Sequence, residues 1–209
     1  MITIKDVDTE LHSILEKKLG SIGFIQIDNR KWVRHKNNGV FDLYSITAMK
    51  GASYSPCWGI GFDYFPIYKS NKLINQKNDK NKGMNLIIDP IDETGKLPDY
   101  HYSFLPELDI KVPTEQIENC VNKSISIALG DFKSINTIDE FYNYFEYRKQ
   151  LIYKRFDFSS YLNHQLTDAL LAYRYEKNSN KIQDFCAQNN IEATNKILTE
   201  FMKNINSIK

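Results

Sequence analysis

The sequence predicts an α+β fold: an N-terminal helix and a mainly antiparallel sheet, followed by a helical C-terminal half. Three observations carry that prediction. Leu11, Ile14, Leu15, Leu19 and Ile22 recur at helical spacing near the start of the chain. Between Phe24 and Pro66, short runs rich in β-branched and aromatic residues are punctuated by turn signals. From Pro113 onward, apolar residues return to three- and four-residue spacing with start and stop signals at their ends. The expected organisation is an α+β sheet domain over residues 1–112 and a helical region over 113–209 packed on it, or one continuous domain.

The first helix is expected to follow Asp8 as its cap and to stop at Gly20 and Gly23. Phe24 to Ile27 begins the sheet, Lys31 to His35 is a short strand, and Asn37-Asn38-Gly39 is a tight-turn signal leading into a strand from Val40 to Met49. Both faces of that strand are partly apolar, because Val40, Asp42, Tyr44 and Ile46 alternate with Phe41, Leu43, Ser45 and Thr47. After Pro56 comes a glycine-laced strand that Pro66 ends. Lys69 to Gly83, rich in Lys and Asn, reads as a solvated insertion, or in a functional reading as a basic lid over an anionic partner. Leu86 to Ile88 and Leu108 to Val112 are short strand candidates.

In the C-terminal half, Pro113 and Thr114 open a helix whose face carries Ile117, Cys120, Val121, Ser124, Ile125 and Ala128, with Gly130 as its stop. Thr137-Ile138-Asp139-Glu140 is a capping-box pattern ahead of the stripe Phe141, Tyr144, Phe145 and Ile152. Asp157 or Ser159 starts a further helix through Leu162, Leu166, Ala169, Leu170 and Tyr173. Two shorter helices follow, through Ile182, Phe185 and Cys186 and through Ile197, Leu198, Phe201 and Ile205.

Composition narrows the function classes. Over 209 residues the formal net charge is +1, so no global electrostatic footprint for nucleic acid or an anionic membrane is present. No apolar run approaches a bilayer's thickness, and Met1 to Asp6 lacks the regions of a secretory signal, so the expectation is a cytoplasmic protein with no membrane partner. Cys57, Cys120 and Cys186 are far apart and odd in number, which fits reduced thiols rather than a disulfide framework or a zinc site. Lysine greatly outnumbers arginine and asparagine is abundant, a usage that reads as bacterial.

The search for chemistry finds no phosphate loop, no nucleophile elbow and no metal-spaced histidine pair. His12 falls on the polar side of the first helix, His35 beside a turn and His164 on the surface of a late helix, each expected to be solvated or structural. Pro98-Asp99 followed by Asp109-Ile110-Lys111 resembles the PD-(D/E)xK nuclease pattern. In that family two carboxylates hold a divalent ion, Mg²⁺ or Mn²⁺, and the lysine positions or activates water. Alternation puts Asp109 and Lys111 on one strand face, and His101 and Glu107 are further candidates. The plain alternative is an edge strand with a polar face and no cofactor.

The run from Leu19 to Pro66, with Gly23-Phe24, Trp32-Val33-Arg34, the turn at Gly39, an alternating strand and Trp58-Gly59-Ile60, resembles the bacterial family called domain of unknown function 4304. The resemblance spans the first third of the chain and implies a helix leading into an antiparallel sheet. Thr47, Met49 and Lys50 stand where that family's polar residues are expected, and no catalytic residue is carried over.

Two features point toward binding. In Cys57 to Tyr64 the bulky Trp58, Ile60, Phe62 and Tyr64 share one strand face and Gly59 and Gly61 the other, which predicts that a helix, a ligand or another chain approaches the glycine face closely. Tyrosines that lie off the core stripe offer large contact area with few rotatable bonds, and Tyr68, Tyr142 and Tyr147 are the outward candidates. The leading expectation is therefore a non-enzymatic protein-binding factor, immunity- or defence-associated. A metal-dependent nuclease or phosphodiesterase using Asp99, Asp109 and Lys111, and a small-ligand binder using the glycine face, remain open.

Overall fold

A computed structural model describes residues 3–49, 53–88, 102–103, 114–153, 162–192 and 194–205. The fold is α+β, with an N-terminal helix, an antiparallel sheet and a helical C-terminal half. Its described residues fall into two compact units. The first takes those within Met1–His35, Asp42–Gly59 and Ile88–Ser134, the second those within Lys36–Phe41, Ile60–Ile87 and Ile135–Lys209.

The first unit opens with α1 (Ile4–Gly20), whose cap is Thr3 rather than Asp8. Thr3 N–H donates to the Asp6 carboxylate at 2.7 Å and Asp6 N–H to the Thr3 hydroxyl at 3.3 Å. That reciprocal box satisfies two of the orphan donors of the first turn, and so starts the helix more than a turn earlier than apolar spacing alone suggests. The chain leaves through Gly23, at φ 88°, a backbone region that glycine enters without penalty. β1 (Ile25–Asp28) and β2 (Lys31–His35) then pair antiparallel, with Ile25 opposite Val33 and Gln26 opposite Trp32. β3 (Val40–Met49) and β4 (Ser53–Phe62) follow, and Pro56 sits inside β4 rather than ahead of it.

α2 (Thr114–Lys133) covers aromatic residues of this unit through one face. Ser124 and Asp131, seven residues apart, meet the Tyr44 hydroxyl at 2.7 Å and accept from the Trp58 indole N–H at 2.8 Å. The Tyr44 and Trp58 rings lie parallel, 6.2 Å apart. The helix continues through Gly130, which faces open space and imposes no stop. Arg34 donates twice to the buried Asp42 carboxylate, at 2.9 and 2.7 Å, while its guanidinium lies 4.9 Å from the Phe24 ring centroid.

In the second unit, β5 (Ile67–Lys69) and β6 (Lys72–Ile74) form an antiparallel hairpin, and β7 (Leu86–Ile88) joins the main sheet. The main sheet runs β1-β2-β3-β4-β7, with β8 (Tyr102–Ser103) pairing antiparallel with β4. The expected strand at Leu108 to Val112 lies outside the described residues.

Most of residues 69–83 are exposed, as their composition suggests, but three side chains of the segment turn into the core. Leu73, Gln76 and Lys82 are buried, as is Asn85 just beyond. Gln76 Nε2 donates to the carbonyls of Phe62 and Phe65 at 3.2 and 2.9 Å, and its Oε1 accepts from Gly83 N–H at 2.6 Å. Asn85 accepts from Phe62 N–H at 3.0 Å and donates to Pro66 C=O at 3.2 Å. The chain turns away from the ladder after Phe62, so its backbone groups there lack strand partners, and these two amides take the partners' place. Lys82 pairs with Asp63 while its ammonium lies 4.5 Å from the Phe41 ring centroid.

The remaining helices are α3 (Ile138–Tyr153), α4 (Leu162–Glu176), α5 (Asn180–Gln188) and α6 (Lys196–Asn204). The predicted capping box starts α3: Glu140 N–H donates to the Thr137 hydroxyl at 3.2 Å, and Thr137 N–H to the Glu140 carboxylate at 3.0 Å. Phe141 and Phe145 are fully buried, with Phe141 edge-on to Phe62 at 4.7 Å. The expected starts of α4 at Asp157 or Ser159 lie outside the described residues.

Candidate interaction face

With Phe141 and Phe145 turned to the core, Tyr142 and Tyr147, which follow them by one and two positions, emerge on different flanks of α3, about 140° apart. Tyr142 is half-buried and Tyr147 is 55% exposed. The Tyr142 ring stacks on Tyr175 of α4, with centroids 4.1 Å apart and planes 18° from parallel. Tyr175 donates its hydroxyl hydrogen to Asp139, whose carboxylate also lies 3.9 Å from the Arg174 guanidinium. Arg174 is in turn anchored on the Ile205 carbonyl at 2.6 Å. Burial and the bond to Asp139 push the Tyr175 hydroxyl up to about 12, and burial with the nearby Glu146 and Glu176 charges raises that of Tyr142. Both phenols therefore stay neutral donors at physiological pH. The Tyr64 hydroxyl is buried in the same unit and has no hydrogen-bond partner among the described residues.

Beside this face, Asp168 on α4 accepts from Lys149 at 2.5 Å and Lys181 at 3.1 Å, tying α3, α4 and α5 together. The aromatic pair is thus carried on helices joined by ion pairs and a buried core. Such a platform loses little conformational freedom when it is covered.

Tyr68 does not belong to this face. It is 9% exposed, its ring is edge-on to Phe185 at 5.7 Å, and its N–H donates to Asn163 at 2.7 Å. The outward placement inferred from the strand's exit is corrected by the β5–β6 hairpin, which turns that side chain into the core. Likewise His164 is not a surface histidine: it is 2% exposed and its Nε2 accepts from Ile87 N–H at 2.9 Å. His12 lies 2.9 Å from the Gln26 amide and beside the Trp32 ring, and His35 is exposed at the end of β2.

Gly59 and Gly61 are both buried. At Gly61 the close neighbours come from β3 and from Gly83: an added Cβ would overlap the Phe41 ring and lie 2.6 Å from the Gly83 carbonyl oxygen. Gly61→Ala is expected to cost about 1 to 3 kcal/mol by overpacking, lowering Tm by roughly 2 to 12 °C for a chain of this size. An unchanged Tm in thermal denaturation would remove the close approach.

Asp99, His101, Glu107, Asp109 and Lys111 lie outside the described residues. Among the described residues no group of three or more His, Cys, Asp or Glu is arranged to hold a metal ion, and no helix is long and apolar enough to cross a membrane. Cys57, Cys120 and Cys186 are free thiols, and burial raises the last two above the ordinary range.

Sequence reasoning passed over Tyr175, Arg174 and Asp139. Their signal is faint: Asp139 reads as part of a capping box, and nothing in the spacing pairs positions 142 and 175. Comparison with family models, curated proteins and solved structures finds no match to this chain.

Proposed function

We propose that this chain is a non-enzymatic bacterial protein-binding factor, immunity- or defence-associated, that contacts its partner through the tyrosine face of α3 and α4. The observation that carries the reading is the Tyr142–Tyr175 stack, an aromatic surface joining α3 to α4, with the exposed Tyr147 about 140° further round α3. Interface energy concentrates in such amphipathic rings, because each buries a large area for two rotatable bonds. The resemblance to domain of unknown function 4304 is part of the same proposal. It rests on the residues quoted from Leu19 to Pro66, and what it implies is kinship of fold without an activity.

The test compares wild-type protein with the Tyr142→Ala/Tyr147→Ala double variant. Affinity purification from a lysate of the source organism identifies the bound protein, and purified components then measure the affinity. The double variant is expected to bind at least tenfold more weakly, about 1.4 kcal/mol or more, at an unchanged fold by circular dichroism. A reconstituted complex indifferent to both substitutions would remove this face.

A further inference from the structure

We infer that a second contact, for an acidic segment of a protein partner, lies in the second unit between residues 75–77 and α6. It rests on the protein-binding reading but uses a different surface. Lys77 and Glu200 form an ion pair at 2.7 Å across a cleft of about 140 Å³, whose apolar wall includes Tyr64, Pro66 and Phe201. The cleft shares Glu200 and Asn204 with a shallower depression of about 380 Å³, which Lys196 and Lys203 line.

The charges along this groove are unevenly committed. Asp63 is matched by Lys82 and Glu200 by Lys77. Lys196 and Lys203 are both exposed and make no ion pair among the described residues. Seven residues apart on one helix, they share a face and stand about 10 Å apart. One end of the groove is thus apolar and side-chain sized, and the other carries two lysines that make no ion pair among the described residues. The complementary occupant is a peptide with one bulky apolar side chain and carboxylates two or four residues apart along an extended chain, about 7 to 13 Å, spacings that keep both on one face and bracket that of the lysines.

A nucleic acid fits less well. Its affinity grows with the number of phosphates neutralised, and two free lysines neutralise few. Phe201, at 4% exposure, offers no ring face to a base.

The probes are three fluorescein-labelled synthetic ligands: a nine-residue peptide with glutamates two residues to either side of a central leucine, its lysine-for-glutamate counterpart, and a twelve-nucleotide oligothymidylate. Fluorescence polarisation is expected to show saturable binding of the acidic peptide, at least tenfold weaker for the lysine peptide and for the Lys196→Glu/Lys203→Glu variant, and weakened by salt. Both substitutions are on exposed positions, and an unchanged melting curve verifies the fold. No saturable binding of the acidic peptide, equal binding of the two peptides, an unaffected charge-reversed variant, or tighter oligothymidylate binding would each overturn the inference. The two proposals separate cleanly in the reconstituted complex. Sensitivity to the tyrosine substitutions alone leaves the function standing without this groove, and sensitivity to the lysine reversal alone removes the tyrosine face instead.

Discussion

Asn85→Ala is expected to destabilise the protein by about 2 to 6 kcal/mol, the largest effect of any single substitution considered for the second unit. Asn85 is 1% exposed, so solvent cannot replace what its amide supplies. Its Oδ1 accepts from Phe62 N–H at 3.0 Å and from Gln76 Nε2 at 2.9 Å, and its Nδ2 donates to Pro66 C=O at 3.2 Å. Alanine leaves Phe62 N–H and Pro66 C=O short of this partner, at about 1 to 3 kcal/mol for each buried polar group left unsatisfied, while Gln76 Nε2 keeps the Phe62 and Phe65 carbonyls. Asn85→Asp is expected to fail as well. It cannot donate to Pro66, and it places a carboxylate where no cation is in contact. Gln76→Ala should act in the same direction, and the double variant should lose less than the sum, because the two side chains share a hydrogen bond. Equilibrium denaturation in urea measures all four proteins. A loss below about 1 kcal/mol for Asn85→Ala would mean that the segment 75–85 is not held as described.

The second large effect depends on pH. His164 accepts from Ile87 N–H through Nε2, so its proton sits on Nδ1 and the ring is neutral. Burial first, and the Arg148 charge second, lower its value from 6.5 to about 4. In the unfolded chain the ring takes up a proton near 6.5, whereas in the fold it resists until about 4. The unfolded state therefore binds more protons between those limits, and stability falls as pH drops from 6.5 toward 4. At about 1.4 kcal/mol for each pH unit in that window, the loss approaches about 3 kcal/mol. Above 6.5 the contribution is complete. The capping carboxylates Asp6 and Glu140 are held below their ordinary values and titrate at the acid end of the window or beneath it. His164→Gln retains an acceptor for Ile87 but no titrating ring. It is expected to be less stable at pH 7 and to show a flatter stability profile from 6.5 to 4. Parallel profiles for the two proteins would show that His164 does not titrate in this range.

What could be read in advance followed from local physics. The period of the apolar residues located α1 through α6, the capping box at Thr137 marked the start of α3, and the paired alternations marked β2 and β3 with their turn. These signals work because helix and strand periodicity and end capping depend on residues within a few positions of one another. Gly61 was also legible as a point of close approach, though not the identity of its neighbours, Phe41 and Gly83, which lie 20 and 22 residues away in sequence.

The tertiary structure alone decided the fate of polar and aromatic residues whose environment is built by distant segments. Gln76, Lys82 and Asn85 sit in a stretch whose composition is that of a solvated loop, and are buried because the chain after Phe62 needs donors and acceptors that no strand provides. Tyr68 and His164, read as outward, are turned inward by Phe185 and Ile87, neither of them near in sequence. The stack of Tyr142 on Tyr175 joins α3 to α4 across 33 positions. A side chain's partner at that separation is set by how helices pack, and no periodicity along the chain encodes it.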